Sequence, residues 1–407
     1  VRHARPLSLA ARALLRRLID EAPGADFAPH LEQLLDEIRV AAGGFGQSTQ
    51  VRAALEQVVD PARLPLDSET TDVNDLIRFA PEGGVVGAIL RSLSATADLA
   101  DGAGFLPLER HGSTISALFT VCELLAVGGS GVIAIDDLGE DLDAATVRHL
   151  TAALGRQAQQ AWVSTRRTPV AEAFRPSELI RLAFNDAGVR VAFAGWEPVD
   201  KHKRMFARHF SLQVLPAMAA RALILLEGPH DRVAYGVVAE KLFREEGIPL
   251  PAARRIEFAD GGAAGGAGGS SVIPKLAEGA RRLGFFTVAV IDGDKDETAI
   301  QGAVDSADLV LRLPERQAIE RAILDGLDDE TIRHALSQLD IALPPNLADL
   351  GESELRDSAV TLLKQRGGVH GHFVDALPAG AHPGLARCVL ETAVEGVLTR
   401  QHGLVQL

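Results

Sequence analysis

The chain has 407 residues, of which 47% are hydrophobic and only 4% aromatic, and its formal net charge is −14. This length and apolar content predict two or three domains with aliphatic cores, and the acidic balance excludes a protein that coats nucleic acid non-specifically. The two cysteines, Cys122 and Cys388, exclude a disulfide framework and a cysteine zinc site and favour a cytoplasmic location, while no apolar run reaches the ~18 residues of a membrane span, so no membrane partner is expected.

In chain order, the first predicted segment is 1–104, where leucines recur at helical spacing and indicate a mostly helical structure. The second segment, 105–215, mixes short apolar strands with helices and ends in a polar, basic connector. Its predicted elements are strands at 131–135, 161–165 and 189–194 and a helix at 144–159.

The third segment, 216–326, alternates strand and helix, and this order predicts an α/β domain with a compact, mostly parallel sheet. Its predicted strands are 222–226, 255–258, 286–291 and 309–313, and its main predicted helices are 232–246, 272–283 and 316–324. The fourth segment, 327–407, is predicted to be a helical C-terminal region.

Two of the apolar strands of the third segment end in acidic turns. Glu227 and Asp231 follow the first strand, and Asp292 and Asp294 follow the third. Carboxylates at the carboxyl ends of parallel strands share one edge of the sheet, where they repel each other and require a cation. Hard oxygen ligands suit Mg²⁺ or Mn²⁺, and one or two such ions can promote phosphodiester cleavage. For Asp231 alone, a helix cap is the simpler interpretation.

The pattern strand–EGxxD–helix followed by strand–DxD resembles the TOPRIM metal-binding domain of topoisomerases, primases and OLD-family nucleases. That resemblance implies a Rossmann-like fold and metal ligands at the four acids named above. It further implies that Glu320, or with lower preference Glu315, is a metal ligand after the fourth strand. Lys364 in the C-terminal region is the implied cation beside the leaving oxygen.

Upstream, the strand that ends in Asp136 and Asp137 resembles the Walker B strand of ABC-type ATPases, and Ser113 lies in a stretch that resembles the ABC signature. The segment 162–169 occupies the place of the switch strand. The order signature, Walker B, switch strand, TOPRIM is that of the OLD-family ATP-dependent nucleases and covers roughly residues 105–380.

This resemblance implies that Asp136 holds Mg²⁺, that Asp137 orients the attacking water, and that Ser113 contacts ATP. It also implies that segment 1–104 contains a dimerisation insert. The sequence departs from the pattern because it contains no GxxxxGK[ST] motif, has Asp137 in place of glutamate and has Arg166 in place of histidine. ATP is therefore either bound without efficient turnover or not bound.

The predicted function is a Mg²⁺- or Mn²⁺-dependent DNA endonuclease of OLD type in bacterial defence or DNA processing, acting as a homodimer with a further protein partner left open. Local basic clusters at 201–204 and 281–282 are the candidate DNA contacts. One alternative is a primase or topoisomerase, which the two cysteines and the single tyrosine, Tyr235, disfavour. The other alternative is a non-catalytic assembly subunit with a structural cation site.

Overall fold

The computed structural model describes residues 18, 48–63, 72–80, 94–99, 102, 104–128, 131–185, 187–198, 203–262, 272–339, 350–365 and 368–407. The chain forms two compact units, unit 1 (Val1–Ala173) and unit 2 (Phe174–Leu407). The predicted segment boundaries after residues 104, 215 and 326 do not coincide with this division. Most of the predicted helical segment 1–104, residues 263–271, which include most of the glycine-rich stretch 261–269, and residues 201–202 lie outside the described residues.

Unit 1 combines helices with two small sheets. Its described helices are α1 Thr49–Arg63, α2 Val73–Leu76, α3 Ser113–Gly128, α4 Ala144–Gln157 and α5 Thr168–Ala171, with a 3₁₀ turn at Leu108–Arg110. Its described strands are β1 Ile77–Ala80, β2 Ser94–Ala97, β3 Leu106–Pro107, β4 Val132–Ile135 and β5 Gln160–Val163. Strands β1, β2 and β3 are antiparallel, whereas β4 and β5 are parallel, as the predicted strand–helix–strand order requires.

Strand β4 is covered on one face. Ile133 and Ile135 are buried, whereas Val132 on the other face is 65% exposed. Helix α4, which connects β4 to β5, begins where the side chain of Asp143 accepts hydrogen bonds from the backbone N–H groups of Ala145 and Thr146 at 2.8 and 3.0 Å. In the part of unit 1 that the structure describes, the acidic turn after β4 lies at the end of a two-stranded sheet.

Unit 2 is an α/β unit with more elements. Its described helices are α6 Lys203–Gln213, α7 Pro229–Glu246, α8 Ile273–Arg282, α9 Glu297–Ser306, α10 Ile319–Ala322, α11 Asp329–Ser337, α12 Glu352–Gln365, α13 His370–Asp375 and α14 Gly384–Thr399, with 3₁₀ turns at Pro176–Glu178, Leu215–Ala217 and Pro251–Arg254. Its described strands are β6 Ile180–Phe184, β7 Arg190–Ala194, β8 Ala222–Leu226, β9 Ile256–Asp260, β10 Phe286–Ile291, β11 Leu309–Arg312 and β12 Gly403–Gln406.

The main sheet of unit 2 has five parallel strands in the order β12-β11-β10-β8-β9. Every residue of β8 and β10 is buried, as expected for central strands covered by helices on both faces. The predicted parallel sheet is thus confirmed for its four expected strands. Because β8 and β10 are direct neighbours, their carboxyl-terminal turns lie side by side.

The prediction of a purely helical C-terminal region is wrong in one respect. Helices α12, α13 and α14 are present, but Gly403–Gln406 forms β12 and pairs with β11, so that Leu309 lies opposite Gly403. This strand is short and largely exposed, which leaves no clear alternation in the sequence. It forms only because β11 offers it a partner.

Strands β6 and β7 belong to unit 2, although β6 is absent from the sequence predictions. The buried guanidinium of Arg181 on β6 donates to the carbonyl oxygens of Met218 and Leu283 at 3.1 and 2.9 Å and also to that of Ala220. Arg181 thereby ties the β6–β7 hairpin to the loops that precede β8 and β10. In the stretches that the structure describes, no helix is both long enough and apolar enough to cross a membrane.

Candidate metal centre at the tips of two central strands

The acidic turns after β8 and β10 are joined by a hydrogen bond. The backbone N–H of Asp292 donates to Oε1 of Glu227 at 3.1 Å. The Glu227 side chain is mostly buried, and its second oxygen lies 3.0 Å from Nζ of Lys295. The structure therefore brings Glu227 and Asp292 together, as the two strand ends predicted.

Asp231 lies in the first turn of α7, directly after the β8 turn. Its Oδ2 accepts a hydrogen bond from the backbone N–H of Gly228 at 2.9 Å. Asp231 therefore does cap the N-terminus of α7. Burial raises the pKa of Asp231 to about 7, and the charges of Glu227 and Glu320 act in the same direction. An ordinary exposed cap has no such neighbours.

Asp292 is the most perturbed acid of this group. Burial raises the pKa of Asp292 to about 8, and the charges of Glu227 and Asp231 add to the effect. Asp294 contributes less because it is half exposed and pairs with Lys295 at 3.4 Å. All four predicted acids thus interact electrostatically, but only three of them are mostly buried.

Glycine at position 293 allows the two aspartates to occupy this turn. A Cβ atom at Gly293 would lie 1.8 Å from the carbonyl oxygen of Pro314, so the turn after β11 leaves no room for a side chain. The backbone N–H of Gly293 donates to the carbonyl of Gln317 at 2.8 Å, which holds the two turns together. The DxD spacing is therefore a packing requirement as well as a ligand pattern.

Lys295 is one residue at this edge that the sequence did not reveal. Its ammonium bridges Glu227 and Asp294. Burial works against its charge, but the hydrogen bond and charge of Glu227 outweigh that penalty and raise the pKa of Lys295. A single position after the DxD pattern carries no recognisable signal in the sequence, since a lysine in a turn is ordinarily a solvated residue.

A second cluster adjoins Asp231 and contains two of the predicted residues. Oε2 of Glu320 lies 3.9 Å from Nζ of Lys364, and its Oε1 lies 3.5 Å from Nε2 of His370. Burial would raise the pKa of Glu320, but contact with His370 and the charge of Lys364 outweigh it and lower that pKa. Glu315, the less preferred candidate, is exposed and pairs with Arg316.

A third acidic strand end was also missed. Asp260, the last residue of β9, is buried, and its carboxylate accepts from the backbone N–H of Gly262 at 3.1 Å and lies 3.6 Å from the Arg232 guanidinium. The sequence did contain a signal for Asp260, because this residue ends a strand of mainly apolar residues. The arginine neutralises it, so Asp260 supports the edge without adding free charge.

Across the described residues, no three His, Cys, Asp or Glu side chains are assembled closely enough to hold a metal ion as they stand. The donors nonetheless fit a hard divalent cation, because Glu227, Asp231 and Asp292 are largely buried oxygen ligands whose mutual repulsion is relieved by positive charge. The ammonium of Lys295 already supplies one positive charge at this place. Binding an ion there requires side-chain rotation and displacement of that ammonium.

The acid pair of unit 1 has a different environment. Asp136 accepts a hydrogen bond from the hydroxyl of Ser164, and the backbone N–H of Asp137 donates to the same hydroxyl at 2.9 Å. Arg166, at the position expected for a switch histidine, lies 3.5 Å from the Asp137 carboxylate and 3.8 Å from that of Glu140. Ser113 is exposed at the start of α3, and no hydrogen bond or ion pair described in the structure joins it to either aspartate.

The basic clusters proposed for DNA contact are partly neutralised. Arg281 lies 3.1 Å from Asp308, and Arg282 lies 3.0 Å from Glu278 and stacks over Trp196. Residues 201 and 202 of the other cluster lie outside the described residues. DNA contact at these positions stays a prediction.

Comparison with known proteins gives little additional information. No protein-family model matches the chain, and no curated protein matches it. Among solved structures, it is similar to a chain of the "Crystal structure of the SmcHead bound to the C-winged helix domain of ScpA", with 16% sequence identity and a TM-score of 0.25. The similarity covers 44% of this chain and 53% of that chain, so it spans about half of the solved chain. A TM-score this low does not establish a shared fold.

Proposed function

We propose that unit 2 is a divalent-metal-dependent nuclease centre of the TOPRIM kind that cleaves DNA phosphodiester bonds. The observation that carries the proposal is the convergence of Glu227, Asp231 and Asp292 at adjacent tips of a buried parallel sheet. Sites of open α/β sheets occur at this edge. Buried acids with raised pKa values and a specific set of charged neighbours are typical of functional sites rather than of structural caps.

The acids would act together on the ion and the phosphate. When bound, Mg²⁺ or Mn²⁺ neutralises phosphate charge and lowers the pKa of a coordinated water. Glu227 and Asp292 would hold the cation from two neighbouring strands, and the Gly228 N–H fixes the orientation of Asp231 beside them. Asp294, being more exposed, is suited to a ligand position that faces the substrate.

Two lysines would supply positive charge at this edge of the sheet. Lys295 compensates Glu227 while the site is free of metal, and its release from that carboxylate is coupled to cation binding. Lys364 is 55% exposed and contacts Glu320, so its ammonium is available to a phosphate oxygen next to the acids. DNA as the substrate class comes from the resemblance of the EGxxD and DxD patterns.

The test uses supercoiled plasmid, the 407-residue chain and either Mg²⁺ or Mn²⁺. The wild type is expected to nick the plasmid only with a divalent cation. Asp292→Asn, which keeps the side-chain shape, should reduce the rate at least about 100-fold, since the loss of even outer-sphere support at metal sites costs about 10–100-fold. Asp305→Asn, an exposed residue of α9, is the matched control. Equal nicking by wild type and Asp292→Asn would refute the proposal.

Experiments on the same protein distinguish the nuclease from two alternative functions. A topoisomerase would need Tyr235 as a nucleophile, but this tyrosine is buried in the core of unit 2 and cannot reach a phosphate without unfolding of α7. A non-catalytic subunit with a structural cation site would bind Mn²⁺ in calorimetry and leave plasmid, linear and single-stranded DNA intact. Tyr235→Phe should leave nicking unchanged under the nuclease proposal.

Nucleotide binding by unit 1 is a second candidate function. It is favoured by the exposed position of Asp136 at the carboxyl end of β4, next to the hydroxyl of Ser164, which directly follows the parallel neighbour strand β5. Because Arg166 engages Asp137, we expect binding without efficient turnover. Calorimetry with Mg²⁺–ATP should detect binding by the wild type and a weaker response by Asp136→Asn. No heat of binding in the wild type would exclude this function for the chain.

A further inference from the structure

His370 is a buried side chain that the proposed chemistry leaves unexplained. It is 2% exposed, its Nδ1 has no hydrogen-bond partner in the described structure, and its Nε2 lies 3.5 Å from Oε1 of Glu320 without forming a well-shaped hydrogen bond. Leaving a buried polar group unsatisfied costs about 1–3 kcal/mol. An imidazole in this position therefore calls for an additional partner.

Close packing of two helices places the ring. His370 begins α13, which lies against α7, and the next residue is Gly371. A Cβ atom at Gly371 would lie 2.6 Å from Cγ1 of Val233, so only glycine allows this approach. The approach stacks the rings of His370 and His230 with centroids 5.2 Å apart and an interplanar angle of 19°.

The imidazole faces a carboxylate at a separation that suits shared coordination. Nε2 of His370 and Oε1 of Glu320 are 3.5 Å apart. Two ligands at about 2.1 Å from one ion lie roughly 3–4 Å apart, depending on the angle between them. The Asp231 carboxylate interacts electrostatically with both residues.

We propose that His370 and Glu320 form a mixed nitrogen–oxygen site for a first-row transition-metal ion in preference to Mg²⁺. The inference rests on the proposed nuclease function and deepens it, since it assigns the type of metal at one part of that centre. Imidazole nitrogen favours transition metals, whereas Mg²⁺ requires oxygen ligands and retains its water.

The chain contains a matched control for this site. His372 lies two residues further along α13 and is exposed, so His372→Ala changes the same residue type on the same helix without touching the pair. His370→Ala removes the proposed ligand, and His370→Gln keeps a polar side chain of similar length if the alanine variant folds poorly. His230→Ala tests whether the stacked partner supplies the nitrogen instead.

The experiment is pulsed EPR of Mn²⁺ bound to the full chain, together with calorimetric titration of Mn²⁺ and Mg²⁺. Wild type and His372→Ala should show coupling of the Mn²⁺ spin to a nitrogen nucleus. His370→Ala and His370→Gln should lose that coupling, with Mn²⁺ affinity reduced about tenfold or more and Mg²⁺ affinity changed far less.

The outcomes separate the inference from the function on which it rests. Nicking activity with all-oxygen coordination of Mn²⁺ in the wild type overturns the inference and leaves the nuclease intact. Nitrogen-coupled Mn²⁺ without nicking supports the site and refutes the nuclease. Nitrogen coupling that survives in His370→Ala but not in His230→Ala would show that His230 is the nitrogen ligand and would overturn the assignment to His370. Absence of Mn²⁺ binding would overturn both the metal site and the nuclease function.

Discussion

Each unit presents an acidic turn at the carboxyl end of a parallel strand, but the two turns differ in what surrounds them. The β4 turn of unit 1 carries Asp136 and Asp137 on a sheet that has two described strands and is exposed on one face. The β10 turn of unit 2 carries Asp292 and Asp294 in the centre of a five-stranded sheet. Burial raises the pKa of Asp292, whereas the side chain of Asp136 is exposed to solvent.

The cation beside each turn differs in the same way. Lys295 in unit 2 is 27% exposed and lies 3.0 Å from Glu227, whereas Arg166 in unit 1 is 74% exposed and lies 3.5 Å from Asp137. An ion pair in solvent contributes little, because water screens it and both side chains lose freedom. The two pairs therefore offer a direct test of how much the buried edge differs from the exposed one.

The largest expected effect comes from removing these cations. In metal-free protein, Lys295→Met should destabilise unit 2 by about 1.5–3 kcal/mol, the range for hydrogen bonds to charged groups, and Mg²⁺ or Mn²⁺ should restore most of that loss. Arg166→Met should cost less than about 1 kcal/mol. Thermal unfolding with EDTA and with added metal measures both, and equal losses would show that the two turns are energetically alike.

Glycines near the two acidic strands give the next comparison. Gly293→Ala pushes a methyl group against the carbonyl of Pro314 and should cost roughly 1–3 kcal/mol while displacing Asp292 and Asp294. Gly131→Ala, just before β4, has open space for its methyl group and should be nearly neutral. Urea unfolding compares the free energies of unfolding of the two variants. An unchanged value for Gly293→Ala would mean that the turn after β11 moves to accommodate the methyl group at little cost.

The pH dependence of metal-free stability sharpens the contrast further. Burial raises the pKa of Asp292 to about 8, so the native state holds a proton that the unfolded chain releases near its ordinary pKa of ~4. Between these values the native state binds more protons, and stability must fall as pH rises, by at most about 1.4 kcal/mol per pH unit for one group.

Asp292→Asn removes this titration. Its unfolding free energy, measured in EDTA between about pH 4 and 8, should therefore change less with pH than that of the wild type. The difference between the two curves isolates Asp292 from other titrating groups. Parallel curves would contradict the raised pKa.

The smallest expected effect concerns backbone strain in the exposed turn. Asp137 has a φ of 53°, in the left-handed region that costs most residues about 1–2 kcal/mol but suits glycine and, to a lesser degree, aspartate. Asp137→Ala should destabilise unit 1 by roughly 1 kcal/mol, whereas Asp137→Gly should not. Calorimetric unfolding distinguishes the two, and equal effects would assign the loss to the Arg166 ion pair instead.

Much of unit 2 could be predicted from local patterns. The apolar runs that form β8 and β10 are long, uninterrupted and followed by acids. This combination predicts that the strands are buried and that their carboxyl ends carry the acids. β12 could not be predicted, since its four residues acquire a structure only through pairing with β11. β6 escaped prediction for a similar reason, because Arg181 reads as a surface residue until three backbone carbonyls are seen to accept from it.

The amino-acid sequence by itself determined which acids end the central strands, because side chains at the ends of parallel strands must meet at one edge of the sheet. Only the tertiary structure decided that Lys295 lies among those acids and that the buried imidazole of His370 lies 3.5 Å from Glu320. Those contacts depend on a turn conformation and on the close approach of α13 to α7. Neither feature produces a periodic pattern in the amino-acid sequence, because both arise from packing between elements that are distant in the sequence.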